Sequence, residues 1–532
     1  MPQEKFALTY ATMFNPPEEL HTNYEQALAR VKAGLGAEHA MFINGRDHYA
    51  RRKFESRSPI NHSWLLGKFQ AGGAQDAQLA IDAAAAAFPA WAATPWQQRV
   101  QVLRRAAGII EERVYDIAAA LSLNIGKNRM EALGDAQEAA DFFSFACDSL
   151  EQHAGFATTM RKDPLLGYNV SNVSTLQPYG VWVVITPFNF PCALTCGPTA
   201  AALAAGNTVV FKSAPEAPWI GRLVAECLRD AGLPAGTFNF VSDSESQAAR
   251  ALVRDPRVAG ITFTGSYDVG MQIYRSFARG PYPRPVILEM GGKNPVIVTA
   301  DANLDDAAVG IVRSAFGLQG QKCSANSRVY AHHSIKKVLV GKMAALAKQL
   351  TIGDPTVREN FLGPVIHRAA YDAYRTHAQK LQRSADLVTG GKQLTQGALA
   401  DGYYCAPTIA DNVPLTNPLW KHEMFLPITM VTGIASLAEG LAHANATQYG
   451  LTAGVYGSEA EAQQFFSQVQ AGVAYANRPQ GSTTLLAGPL IRYFSYQAMV
   501  YLYAVIGIAG TVLIAVRWRE HIWRADAPAN LR

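Results

Sequence analysis

Val286-Ile-Leu-Glu289-Met-Gly-Gly-Lys-Asn-Pro295, continuing to Gly317-Leu-Gln-Gly320-Gln-Lys-Cys323-Ser324-Ala-Asn-Ser-Arg328, is the stretch on which the fold and chemistry of this chain turn. An apolar strand delivers a carboxylate into a Gly-Gly turn. Thirty-four residues later, beyond what reads as one amphipathic helix, a cysteine stands in a Gly/Gln/Ser loop. A thiol is the most nucleophilic common side chain near neutral pH, and a carboxylate nearby can activate it or the water that later displaces its adduct. Residue type alone does not decide the matter, since a single cysteine is more often a small buried apolar group.

Working outward, Ile185-Thr-Pro-Phe-Asn189-Phe-Pro191, Gly265-Ser-Tyr-Asp-Val-Gly270 and Glu423-Met-Phe425-Leu-Pro427 accompany the cysteine and the carboxylate. In order and spacing these five segments resemble the aldehyde dehydrogenase superfamily, over roughly residues 40 to 484. Within it, Gly320-Gln-Lys-Cys323-Ser324, Asn417-Pro-Leu-Trp420-Lys-His-Glu-Met424 and Tyr475-Ala-Asn477-Arg-Pro-Gln-Gly-Ser-Thr-Thr484 look most like the branch that oxidises L-glutamate γ-semialdehyde, the open form of 1-pyrroline-5-carboxylate, in proline breakdown.

The alternation of elements gives the fold class without that resemblance. Val181–Ile185, a helix over 192–205, Thr208–Phe211, a helix over 217–231 closed by Gly232, Phe238–Val241 and Gly260–Thr264 follow one another. Strands separated by helices make a parallel, doubly wound α/β sheet, which binds ligands at the carboxyl ends of its strands. Phe42-Ile-Asn-Gly-Arg46 is a strand entering an Asn-Gly turn, a hairpin signal. Helical periods run over 18–35, with Tyr24, Leu28 and Val31 on one face, then over 74–93 and 97–124, with a break at Thr94-Pro95. Arg104 and Arg105 read as surface charges. The alternating run Tyr168–Gln177 reads as an exposed strand or hairpin, and the resemblance makes this region, near 160–178, part of an oligomerisation flap.

The expected organisation is an N-terminal helical extension (1–40), a Rossmann-type NAD-binding domain (41–288), an α/β catalytic domain (289–484) and an atypical tail (485–532). Composition fits a globular body, with 49% apolar and 17% charged residues. The net charge of +5, from 47 basic and 42 acidic residues spread along the chain, is a solvated surface and no nucleic-acid footprint. Six cysteines without Cys-x-x-Cys pairs or His clusters argue against a metal site or a disulfide framework. The opening Met-Pro-Gln-Glu-Lys has no apolar run after its charges, so a cytoplasmic body is expected.

Gly265-x4-Gly270 lies where a strand opens into a helix, whose free N–H groups suit a pyrophosphate; tight turns of this kind also use glycine without any ligand. The resemblance implies dinucleotide binding there with Ser266 in the turn. It further implies that Lys212 and Glu216 serve the adenosine ribose, although many members carry the acid where Pro215 stands here. A carboxylate that accepts from a ribose 2′-hydroxyl repels a 2′-phosphate, which favours NAD over NADP. Glu423 and Phe425 match the positions that hold the nicotinamide ribose and ring. Cys323 is then the nucleophile, Asn189 with the Cys323 backbone N–H the oxyanion hole, Glu289 the base for water, and Ser324 a contact to the substrate carboxylate. Lys293 matches a family position as well, with a structural or surface role as plausible an assignment.

After Thr484 the chain departs from the family pattern. Leu485-Leu486-Ala-Gly-Pro replaces the expected Gly-Ala and Phe-Gly-Gly, so a substrate anchor loop and the subunit-pairing strand are missing. Residues 498 to 516 are 19 positions without a charge, and at about 1.5 Å per residue they approach the roughly 30 Å apolar thickness of a bilayer. The expectation is a C-terminal transmembrane helix on a cytoplasmic enzyme, with impaired oligomers. Another aldehyde specificity, or a membrane-tethered remnant with impaired catalysis, is the alternative.

Overall fold

The computed structural model describes residues 16–161, 171–280 and 282–480. Two seven-stranded sheets dominate. The first runs, edge to edge, Val286–Met290, Val258–Gly265, Val181–Ile185, Thr208–Lys212, Phe238–Val241, Met41–Ile43 and Arg46–His48. Its first five strands are parallel, and the Met41–His48 hairpin adds antiparallel to Phe238–Val241. Every residue of Val181–Ile185, Thr208–Lys212 and Phe238–Val241 is buried, as strands covered on both faces require. Each fully buried Val, Ile or Phe there stabilises by roughly 1.5–3 kcal/mol. The Asn-Gly hairpin forms as its residues predict: Asn44 and Gly45 both take positive φ, 53° and 77°.

The chain order in this sheet reverses between Val181–Ile185 and Val258–Gly265. At such a switch two loops leave in opposite directions and open a crevice at the carboxyl ends of the strands. Gly291–Lys293 carry the chain from the first sheet into the second. That sheet runs Asp386–Thr389, Thr408–Asp411, Ile428–Ile434, Asn326–His332, Asn294–Val298, Thr452–Tyr456 and Val473–Ala476, parallel except at its first pair. Its candidate site residues precede their strands: Cys323 comes just before Asn326–His332, and Glu423 and Phe425 before Ile428–Ile434. Carboxyl ends of the first sheet's strands therefore supply one side of the site and amino ends of the second sheet's strands the other.

Three expectations need correction or limits. The period over 97–124 is not one helix but two, Trp96–Glu112 and Val114–Ile125. The break falls at Arg113, which leaves helical geometry and ion-pairs with Asp230 at 2.5 Å. The flap reading is met only in part. Ala157–Thr159 pairs antiparallel with Val173–Thr175 and both are exposed, while residues 162–170 lie outside the described residues. The expected membrane span at 498–516 and the altered sequence after Thr484 also lie outside them. Among the described residues no helix is long and apolar enough to cross a membrane.

The helix Arg129–Gln152 fixes the turn that carries Asn189. Asp135 on this helix is fully buried; one carboxylate oxygen accepts from Lys127 Nζ at 2.8 Å and the other from the Ala193 N–H at 2.8 Å. Lys127 Nζ also lies 3.6 Å from the centre of the Phe190 ring. Burial pulls the Lys127 ammonium down and Asp135 works against that. Breaking one side of a buried pair leaves an uncompensated charge. Lys127→Met is therefore expected to lower unfolding free energy by about 3–5 kcal/mol, read as a fall in the urea midpoint. A loss below about 1 kcal/mol would show that Asp135 does not depend on the lysine. Adding Asp135→Leu is expected to recover only part, because the Ala193 N–H loses its acceptor.

Candidate active site

Cys323 and Ser324 are the two central residues of a tight turn closed by the Ala325 N–H on the Lys322 carbonyl at 3.1 Å. Five successive carbonyls, from Gln321 to Ala325, are all engaged. Asn189 Nδ2 donates to the Gln321 oxygen at 3.0 Å, and Thr452 Oγ1 donates to that of Ser324 at 3.4 Å. Asn294 Nδ2 donates both to the Cys323 oxygen at 2.6 Å and to the Ala325 oxygen at 2.8 Å. The thiol itself is half-buried. Burial pushes it up to about 11, Glu423 and Glu289 add to that, and the backbone N–H groups of Ser324 and Cys323 hold it back. Lys322, beside it, pairs with Glu131 at 3.0 Å, and Glu131 also accepts from the Leu318 N–H at 3.2 Å.

Asn189 is buried and reaches the nucleophile turn directly. Its amide has two donors, one used on the Gln321 carbonyl and a second left for a reacting oxygen. Glu289 stands on the exposed edge strand opposite Thr264; no hydrogen bond joins it to Cys323, but its charge acts on the thiol. Its surroundings raise its carboxyl above the usual range. Read from sequence alone, the Gly291-Gly292 turn that follows gives this carboxylate room to swing. The structure supplies a different reason for the glycines: a Cβ on Gly291 would stand 2.5 Å from Glu423 Oε2, and one on Gly292 2.1 Å from the Cys323 carbonyl oxygen.

Glu423 Oε1 accepts from the Gly292 N–H at 2.6 Å, and burial raises its carboxyl. Phe425 sits at φ +57°, and its ring meets Phe188, next to Asn189, edge-on at 5.9 Å. Lys293 is a buried residue and not a surface one; its ammonium has no hydrogen-bond partner among the described residues. Burial, then Arg328, bring it down to about 7 against the pull of Glu423. Ser324 is half-buried beside the nucleophile.

At the far end of the crevice Lys212 is buried at the close of its strand, lowered by burial with Asp243 and Glu216 opposing. The neighbouring Ser213 Oγ is buried with no partner among the described residues, so unspent hydrogen-bonding capacity sits where a ribose would lie. Glu216 is half-buried, 4.0 Å from His367 Nε2. Ser266 caps the helix Tyr267–Phe277, its Oγ accepting from the Val269 N–H at 3.4 Å. Gly265 precedes it at the strand end. Gly270 owes its lack of a side chain to packing: a Cβ there would stand 2.4 Å from Met290 Sδ. Among the described residues no cluster could hold a metal ion.

Residues that sequence reasoning missed are Asn294, Thr452, Glu131 and His367. Asn294 follows Lys293 in the decisive stretch, yet nothing in its spacing marks it. Glu131 had one usable signal, a basic residue beside the cysteine that needs a counter-charge.

Comparison with known proteins identifies the family. The pattern of the aldehyde dehydrogenase family matches residues 46–488. A 1-pyrroline-5-carboxylate dehydrogenase of Halalkalibacterium halodurans is 36% identical over 464 residues, covering 86% of this chain and 88% of the relative. The solved structure of a 1-pyrroline-5-carboxylate dehydrogenase from Thermus with bound NAD superposes with a TM-score of 0.84 at 32% identity, covering 91% of this chain and 93% of that one. A solved lactaldehyde dehydrogenase is 28% identical with a TM-score of 0.78, over 84% of this chain and 92% of that one. This chain belongs to the aldehyde dehydrogenase family.

Proposed function

We propose that the chain oxidises L-glutamate γ-semialdehyde to L-glutamate with NAD, through a thioester on Cys323. The observation that carries the reaction class is the Cys323 turn, with its carbonyls held away and its N–H groups acting on the thiol. The relatives named 1-pyrroline-5-carboxylate dehydrogenase support the substrate, and half-buried Ser324, next to Cys323, would contact its carboxylate.

Cys323 as thiolate bonds to the aldehyde carbon, and the carbonyl electron pair moves onto oxygen. The second Asn189 donor and the Cys323 backbone N–H serve that oxyanion. Lys212, Ser213, Glu216, Gly265, Ser266, Gly270, Glu423 and Phe425 would hold NAD, which supplies the two-electron hydride acceptor when bound. Loss of hydride from the former aldehyde carbon re-forms its C=O bond and leaves a thioester on Cys323. Glu289 then takes a proton from water, whose oxygen displaces the sulfur and releases the carboxylate. The Glu216 carboxylate disfavours a 2′-phosphate, so NAD is the better fit.

Cys323→Ala is expected to lower kcat/KM by more than about a hundredfold while NAD binding stays near wild type. Retained turnover would remove the cysteine from the mechanism. Glu289→Gln should separate the steps: one equivalent of NADH per site forms in a burst, then turnover is slow. Glu289 works as a base only when ionised, so wild-type turnover is held at higher pH and lost as pH falls through its raised pKa. That acid limb is expected to disappear in Glu289→Gln, and a missing burst would place Glu289 before hydride transfer.

Substrate choice has its own measurement. Groups built to meet a carboxylate reject analogues that lack it, by as much as about 10⁴-fold where they are left unpaired. The semialdehyde should therefore exceed propanal and butanal in kcat/KM, and Ser324→Ala should narrow the gap. Equal efficiency with the plain aldehydes would leave the family reaction standing and overturn this substrate.

A further inference from the structure

We infer that Asn294 is a positioning residue for the nucleophile, setting the thiolate character of Cys323 by fixing the peptide unit between Cys323 and Ser324. The inference rests on the reading of Cys323 as nucleophile. A peptide unit is planar, so its C=O and N–H point in opposite directions and turn together. The Cys323 carbonyl and the Ser324 N–H are the two ends of one such unit. Asn294 Nδ2 holds the carbonyl end at 2.6 Å, which directs the Ser324 N–H to the side where it acts on the thiol. The same amide nitrogen holds the Ala325 carbonyl at 2.8 Å, so Asn294 ties down both the middle and the end of the turn.

The asparagine is itself fixed. It is buried, its Oδ1 accepts from the Thr452 N–H at 3.1 Å, and it opens the strand Asn294–Val298 in the middle of the second sheet. Its two amide hydrogens and its oxygen are all used, which leaves no slack for the turn to rotate. Asparagine alone among small side chains brings two donors and an acceptor to such a point; aspartate would set a carboxylate against two carbonyl oxygens.

The charged groups acting on the sulfur are the carboxylates of Glu423 and Glu289, and both oppose ionisation. The backbone N–H groups of Cys323 and Ser324 favour it. Turning one of them away removes part of that support. An upward shift of the thiol by one pH unit costs tenfold in thiolate, of which the more basic sulfur recovers about threefold in rate.

The test is the rate of Cys323 alkylation by iodoacetamide in the full-length protein, followed from pH 7 to 10 without cofactor, beside NAD affinity and melting temperature. The other five cysteines are buried, and a Cys323→Ala control subtracts their reaction. Asn294→Ala is expected to slow alkylation by roughly three- to tenfold across that range, with NAD affinity unchanged. A merely structural role predicts the opposite, since a loosened turn exposes the thiol and speeds the reaction. Asn294→Ser, with one hydroxyl donor for two carbonyls, should fall between wild type and alanine, and it carries the test should the alanine variant not fold. Wild-type or faster alkylation in a folded variant overturns the inference. If Cys323→Ala keeps turnover, the catalytic reading fails; if it loses turnover while Asn294 variants alkylate normally, only the role of Asn294 fails.

Discussion

The site depends on how closely two backbones approach at Gly291-Gly292. The first sheet hands the chain to the second there, and the handover has to pass between Glu423 and the Cys323 carbonyl. A side chain at either position would collide with them, at 2.5 and 2.1 Å. The approach lets the Gly292 N–H bind Glu423 at 2.6 Å and lets the next two residues, Lys293 and Asn294, start the second sheet beside the nucleophile turn. One dipeptide thus couples the carboxylate matched to the nicotinamide ribose with the loop matched to the thiol. Neither sheet could rotate against the other without breaking that hydrogen bond or the one between Asn189 and Gln321.

Strain gathers where this precision is needed. Leu318, Gln319 and Gly320 lead into the nucleophile turn with successive φ values of 46°, 56° and 69°. For the two non-glycine residues that left-handed geometry costs of order 1–3 kcal/mol each. The surroundings hold it: Glu131 accepts from the Leu318 N–H, and Gln321 Oε1 accepts from the Ile366 N–H at 3.0 Å. Phe425 carries the same kind of strain at φ +57°, and its ring is braced by Phe188. Strained residues thus flank the thiol on one side and the expected nicotinamide position on the other, and the strand pair next to the thiol turn shifts register between Asn294 and Pro295. The buried Lys127–Asp135 pair serves the same end from below, since it fixes the Phe190 ring and the start of the helix Ala193–Ala204.

The sequence makes legible what depends on local pattern. Continuous apolar strands, the Asn44-Gly45 turn, the helix Ala74–Ala93 and its stop at Thr94-Pro95 follow from residue type and period, because each is decided within a few positions of itself. The break at Arg113 does not, because no residue within the run marks it, and the partner Arg113 meets there, Asp230, lies 117 residues away. Asn294 and Glu131 escaped for the same reason, since an asparagine in a strand and a glutamate in a helix carry no local mark of a carbonyl or a lysine met only on folding. The glycines were legible as positions but not as causes. A Cβ at Gly270 would meet Met290 Sδ, and one at Gly291 or Gly292 would meet Glu423 or the Cys323 carbonyl, contacts that no local pattern announces.

Confinement also bears on how such a site stays safe at rest. A thiol pushed up to about 11 is ionised at pH 7 in only about one molecule in ten thousand. Burial keeps it so and two carboxylates add to it, while Lys322 pairs with Glu131. The same two carboxylates are the ones the proposed reaction would engage, Glu423 at the cofactor and Glu289 at the water. Any partner that neutralises Glu423, or any proton taken up by Glu289, lifts a field that suppresses the thiolate. The fixed N–H groups of the turn add no such dependence. They set a constant, favourable background on which the carboxylates act as the variable, which is why the backbone there must not move.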